Sequence, residues 1–383
     1  MKSLRLILTN ANYFGPSWVF ASLNILFGTW VIYIPQVKDA LNIDKSELGF
    51  AIFFLSLGVF LVFPFASRMV NALGVGKATF FAVLVSCAGA MLPLMATSYY
   101  TLMGALFLFG ASNGFIDISM NTLVTEIEKK NNVKFMSASH GFFSLGGVLA
   151  GLGSFLIGPL ANPTLHMSLA VALVLLVNFI FYKKYIYVTA DVVKNESFSL
   201  KLFKPLVLLG LISFISMGSE GAIIDWSGLY LKEVSIAPEA LWGLGFLGFQ
   251  TTMTLGRFIG DGISEKLGSI KLIAFGAILA LTGYGFILTE HTYLAITGFA
   301  INGLGFSVMV PEILRIGGNV KGVDSSQGIA FIAGTGYLGF LCAPPILGFL
   351  AETSSLKTSF AVLLFCTLII LGITFTLKKR QKA

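Results

Sequence analysis

The sequence predicts an all-α membrane protein of twelve transmembrane helices arranged as two pseudo-symmetric six-helix bundles, and three observations predict it. Of its 383 residues, 56% are hydrophobic and only 11% are charged, whereas soluble domains carry about 25% charged residues. The apolar residues fall in runs of about 20, the length a helix needs to cross ~30 Å of hydrocarbon, and the runs lack the period-two alternation of a barrel strand. The basic residues also segregate: with the N-terminus inside, 21 of the 25 Lys and Arg lie on the inner side and four outside. Positive charge is held in the cytoplasm during insertion, so both termini are expected there and the number of spans is even.

The twelve runs lie near 14–36, 48–66, 78–98, 99–122, 136–160, 164–182, 206–231, 240–258, 271–289, 292–312, 326–351 and 357–377. The first follows Lys2 and Arg5 without a small-residue cleavage site, so it reads as a span rather than a signal peptide. The 36 Phe suit lipid-facing surface, and the 42 Gly suit close helix contacts. Cys87, Cys342 and Cys366 sit inside apolar runs and read as small buried hydrophobes, with neither disulfide nor metal-ligand spacing. The net charge of +7 is accounted for by topology and needs no nucleic-acid partner.

The longest polar break, 183–204, divides the chain into an N-terminal bundle (1–183), a cytoplasmic linker (184–204) and a C-terminal bundle (205–383). The halves resemble each other. A shift of 194 lays Lys38-Asp39 on Lys232-Glu233 and Leu73-Gly74 on Leu267-Gly268, and a shift of 190 lays Ser144, Gly146 and Gly158 on Gly334, Gly336 and Gly348. Parallel repeats of this kind build transporters whose site lies between the halves.

The stretch GRFIGDGISEKLG, 256–268, follows span eight and resembles the loop motif of the major facilitator superfamily. Its N-terminal counterpart departs from the pattern, with Ser67 in place of the acid while Arg68 and Gly74 remain. GTWVIYIPQVKDAL from Gly28, SNGFIDISMNT from Ser112, SHGFFSLGG from Ser139 and SEGAIIDWSGLYL from Ser219 are similar to the YbjJ-like group of that superfamily, distantly similar to fucose-permease-type sugar:proton symporters. Drug:proton antiporters usually show a Gly-Pro pair early in span five, whereas the only Gly-Pro of that span, Gly158-Pro159, comes at its far end. The resemblance implies a monomeric carrier of the bacterial inner membrane, working by alternating access on a small solute and protons. It also implies that spans one, four, seven and ten line a central cavity.

Span seven carries the sharpest signal. Glu220 and Asp225 lie inside an apolar helix, where a charge costs ~2.5–3.5 kcal/mol on insertion scales and persists only facing a partner or water. Carboxyls held from bulk water bind protons more readily, and Glu220, near mid-depth, is the expected proton-coupling residue. Asp225 fits either solute binding near the outer mouth or pairing across a gate, and each acid also has the plainer reading of a carboxyl hydrogen-bonded between helices. Asn113, Asp117 and Asn121 recur every four residues on span four. Asp117 with His140 of span five could relay protons, lock the inner side or satisfy a helix contact.

No Lys or Arg is placed deep in a span, which disfavours an anionic solute. Asn24, Trp30, Asn113, Asn121, Trp226, Gln250 and Asn302, together with Asp225, are the candidate solute-binding residues, since such sites combine apolar walls with a few hydrogen-bonding groups. Trp18 and Trp242 read as interfacial anchors, and His166 and His291 as solvated loop ends. Arg257 with Asp261 and Glu312 with Arg315 can pair at helical spacing as a cytoplasmic gate. Gly334, Gly336, Gly339, Pro344, Pro345 and Gly348 are expected to interrupt span eleven, and Pro35 and Pro64 to end or bend their helices. Three His and no HExxH or GxSxG stretch exclude an enzyme of those types, and no cofactor or metal is expected. The expected activity is proton-coupled movement of a neutral, sugar-like solute, with efflux of cationic or amphipathic compounds as the alternative.

Overall fold

The computed structural model describes residues 2–189, 206–320, 323 and 325–382, and every regular element among them is helical. In order they are α1 (Lys2–Thr9), α2 (Ala11–Val31), α3 (Ile34–Leu41), α4 (Lys45–Leu73), α5 (Val75–Met91), α6 (Tyr99–Asn131), α7 (Met136–Leu152), α8 (Ile157–Leu160) and α9 (Pro163–Phe181). There follow α10 (Val207–Glu233), α11 (Leu244–Leu267), α12 (Ser269–Ile287), α13 (Thr292–Ser307), α14 (Met309–Gly317), α15 (Ser325–Thr353) and α16 (Leu356–Lys382). The expected linker falls almost wholly outside the described residues.

Ten helices are long and apolar enough to cross a membrane, or eleven if α2 and α3, bent by 43°, form one span. The bend falls at Ile32–Tyr33, just ahead of Pro35 in the first turn of α3, where proline has no N–H to continue the ladder of α2 and its ring crowds the carbonyl four residues back. The count falls short of twelve at α11. It has 24 residues, enough to span at 1.5 Å each, but Arg257, Asp261, Glu265 and Lys266 in its second half keep it less apolar than the rest.

Local chemistry sets the ends. Ser98 and Thr101 form a reciprocal cap on α6, and Asn162 caps α9, whose first residue is Pro163, a position where proline's missing N–H goes unnoticed. The Glu128 carboxylate accepts from the backbone N–H groups of Phe135 and Met136, the latter at 2.7 Å, and so closes the start of α7. α9 and α16 expose most of their length, only 22% and 28% of their apolar windows being buried. On α9 the exposed Leu165, Leu169, Leu173, Leu176 and Ile180 make a stripe at helical spacing, which suits lipid and not water.

Internal contacts divide the chain into two compact units, Met1–Ile43 with Ala51–Lys194, and Asp44–Phe50 with Asn195–Ala383. In the first, α2 packs on α7 and α9, and α5 on α6. In the second, α10 packs on α15, and α13 on α11 and α12; there Lys45 also pairs with Glu233 at 3.3 Å.

Close contacts inside each unit repeat. A Cβ on Gly146 would lie 2.3 Å from the Ala21 carbonyl oxygen, and one on Gly339 would lie 2.2 Å from that of Phe214, equivalent residues being 193 apart. Gly110 meets Leu55 and Gly303 meets Phe249 in the same way, at 1.9 and 2.2 Å. Gly74 and Gly268, 194 apart, share φ of 79°, in the left-handed region that only glycine enters without strain. Gly146 therefore corresponds to Gly339, and the shift of 190 expected for span five is corrected to 193.

Three further expectations change. Pro344 and Pro345 lie inside a continuous α15 and do not interrupt it. His166 is 6% exposed and its Nδ1 lies 3.0 Å from the Tyr33 hydroxyl, because the start of α9 packs under the α2–α3 bend. Trp18 is buried in α2, stacked on Phe14, and so is not an interfacial anchor. Trp242 keeps a polar tip, donating to the Ala237 carbonyl at 2.9 Å beneath the Lys232 ammonium. Cys87 is buried, while Cys342 and Cys366 are half-buried.

Candidate functional site

The second unit holds the two span-seven acids. α10 is largely buried, with 67% of its apolar window inside, because it packs on α15 and also touches α11, α13, α14 and α16. Glu220 and Asp225 are 9% and 8% exposed. A lone carboxylate so placed would be costly, and Glu220 has an answer in Arg257 of α11, whose Nη2 lies 3.4 Å from its Oε1. Arg257 is a quarter exposed, so its long stem carries the charge from a wetter position to the buried acid. The sequence placed Arg257 with Asp261 at a helix end. The side chain of Asp261 lies outside the described residues, and Arg257, expected to serve only at the cytoplasmic end, reaches the buried acid instead.

The serines of α10 divide into two groups. Ser213 donates to the Ile332 carbonyl at 2.8 Å and Ser216 faces the Met309 sulfur at 3.2 Å, so both are spent on holding helices together. The Trp226 Nε1 and Ser227 Oγ are buried with no hydrogen-bond partner among the described residues, whereas Ser219 faces the Tyr284 hydroxyl of α12. Polar atoms out of water without a partner cost about 1–3 kcal/mol each, so such atoms on the helix that carries Glu220 are where a polar solute or water would be bound. Asn302 of α13 is fully buried with both amide atoms unpaired, and its Oδ1 lies against Gly283 of α12. Gln250 is buried on α11.

A second polar cluster lies at the α11–α14 end of this unit. Glu312 is 2% exposed and accepts a hydrogen bond from Ser264 at 2.8 Å, while Arg315 approaches Glu312 at 3.4 Å and donates to Ser264 at 2.8 Å. The sequence paired Glu312 with Arg315 but missed Ser264, which joins them from another helix. Its place in the motif after span eight was the available signal.

In the first unit, Asn24 donates to the Phe143 carbonyl at 3.0 Å and leaves its Oδ1 unpaired, as are the Trp30 Nε1 and the Asn113 Oδ1. Asn121 donates to Asp117 through carboxylate and backbone oxygens at 3.1 and 2.8 Å, an i,i+4 bond along α6 that the four-residue spacing foretells. His140 is exposed on α7 with its ring edge-on to Phe20 at 5.1 Å. Among the described residues no group of three or more His, Cys, Asp or Glu could hold a metal ion.

This chain is similar to proteins of known class along most of its length. It is 29% identical to the membrane protein MosC of Rhizobium meliloti, over 87% of this chain and 82% of that one. It is 23% identical to a glucose/galactose transporter of Brucella abortus, over 91% of both chains. In structure it matches the nucleoside transporter NupG with a TM-score of 0.76 at 10% identity, covering 97% of this chain and 99% of the other, which shows a shared fold. The family model of the Major Facilitator Superfamily matches residues 18–320. Buried acids on an apolar helix, paired helices repeated in two units and this match agree: the chain belongs to the major facilitator superfamily, as a multi-pass secondary transporter and not an enzyme.

Proposed function

We propose that the protein couples proton movement to the transport of a small neutral polar solute, sugar-like in its chemistry, across a bacterial inner membrane with both termini in the cytoplasm. The observation that carries this is the Glu220–Arg257 pair, whose acid sits on a largely buried apolar helix that also carries the unpartnered polar atoms of Trp226 and Ser227. Protonation of Glu220 would release Arg257, and re-ionisation would recapture it, so the pair can respond to both proton and solute. Its net charge is zero, which leaves a neutral solute as the fitting cargo.

Asp225, Asn24, Trp30, Asn113, Asn121, Trp226, Gln250 and Asn302 are assigned to the solute, with Asp117 and His140 as further proton-handling groups. The Arg257–Asp261 and Glu312–Arg315 pairs are assigned to a gate and the protein to a monomer. The likeness to a glucose/galactose transporter supports the sugar-like cargo, as does the distant similarity of four sequence stretches to fucose-permease-type symporters. A cationic or amphipathic cargo is the second reading, favoured by Asp225, a buried carboxylate with no ion-pair partner among the described residues.

The test is transport by purified protein in vesicles, with and without an imposed pH gradient. Glu220→Gln is expected to abolish gradient-driven accumulation while solute exchange persists in part. Accumulation by that variant with unchanged pH dependence overturns the coupling role.

A further inference from the structure

The second unit contains a cavity of about 570 Å³ bordered by the start of α12, the end of α14 and the last turns of α16. It is lined by Lys271, Arg315 and Lys378, each from a different helix, with Ser269, Ile270 and Asn319 between them, and by no carboxylate among the described residues. Glu312 partly neutralises Arg315 but is buried behind it and does not reach the lining. Lys271 and Lys378 make no ion pair among the described residues.

The backbone adds to the positive field. Gly268, at φ 79°, turns the chain sharply into α12, and the first bond back along that helix is from the Leu272 N–H to the Gly268 carbonyl. The N–H groups of Ser269, Ile270 and Lys271 therefore have no acceptor within the helix and sit at its positive end. All three cations belong to segments that the charge count assigns to the cytoplasm, the side of a membrane that carries anionic lipid. The volume lies in the range of ligand pockets and is too large for a bare ion alone.

We infer that this cavity binds a phosphate-bearing anion, held by Lys271, Arg315 and Lys378 and by the open N–H groups of α12. The shared chemistry is a phosphodiester or phosphomonoester. Its two sources are an anionic phospholipid head group, which fits a cavity at a membrane face, and a soluble phosphate compound. The inference rests on the second unit alone and shares only Arg315 with the transport reading.

The experiment uses the full-length protein purified in detergent, with thermal unfolding and native mass spectrometry of retained lipid as readouts. Dioleoylphosphatidylglycerol is expected to raise the unfolding midpoint by several degrees over dioleoylphosphatidylcholine and to be retained preferentially. Lys271→Gln with Lys378→Gln should lose at least half of both effects, while the control pair Lys130→Gln with Lys134→Gln should keep them. Both lysines of the test pair are exposed, and Arg315 is left in place because it holds Glu312. If glycerol 3-phosphate or inorganic phosphate reproduces the shift and the test pair removes it, the anion site stands and its occupant is soluble. If neither lipid nor phosphate distinguishes the wild type from the test pair, or if the control pair loses as much, the inference is overturned.

Discussion

Arg257 and Glu220 show why a charged residue in an apolar segment must be judged with its partner. Removing one member of a buried pair strands the other at a cost of about 3–5 kcal/mol when both are fully enclosed. Arg257 is a quarter exposed, and its partner 11% by side chain, so about 2 kcal/mol is the expected loss for Arg257→Ala. A double-mutant cycle in detergent checks this: Arg257→Ala should lower the unfolding midpoint, Glu220→Gln should lower it less, and the double variant should be more stable than Arg257→Ala alone. Strict additivity would show that the two groups do not interact. The acids were legible in the sequence because carboxylates are rare in apolar runs, whereas the pairing was not, because 37 residues and a helix-to-helix packing angle separate the partners.

Helices, rather than single side chains, determine where the two units are tight. Where α2 meets α7, and again where α10 meets α15, a glycine lets one backbone touch the carbonyl of the other, at Gly146 with Ala21 and Gly339 with Phe214. Neither contact has room for a side chain. Gly146→Val and Gly339→Val should each destabilise the fold by ~1–3 kcal/mol or more, seen as less folded protein recovered from membranes and a lower unfolding midpoint. Gly104→Val, at an open position on α6, should have little effect; equal behaviour of all three would refute a packing role. Helix existence could be read from hydrophobic run length alone. The continuity of α15 through Pro344 and Pro345 could not, because neighbouring side chains and helices can stabilise a proline inside a packed helix.

Across the whole chain the backbone repeats while the chemistry does not. At the shift of 193 set by the glycine contacts, Glu220 corresponds to Phe27, and at the shift of 194 Arg257 corresponds to Phe63. The charged pair thus belongs to the second half alone, and coupling variants are expected to concentrate there. The topology has its own test: fluorescent protein fused at the C-terminus should fluoresce, since the charge count puts that end in the cytoplasm, and a dark but inserted fusion would reverse the assignment. Run length, basic-residue asymmetry and the motif at 256–268 determined the helical membrane class, the two-part organisation and the superfamily, because a bilayer leaves a chain few alternatives to apolar helices. Only the tertiary structure decided that Arg257 answers Glu220, that Ser264 joins Glu312 to Arg315, that His166 is buried against Tyr33, and that the repeat runs at 193 in span five. Each of these depends on how one helix is rotated against another, and hydrophobic pattern along a single helix carries little of that information when lipid and protein interior are equally apolar.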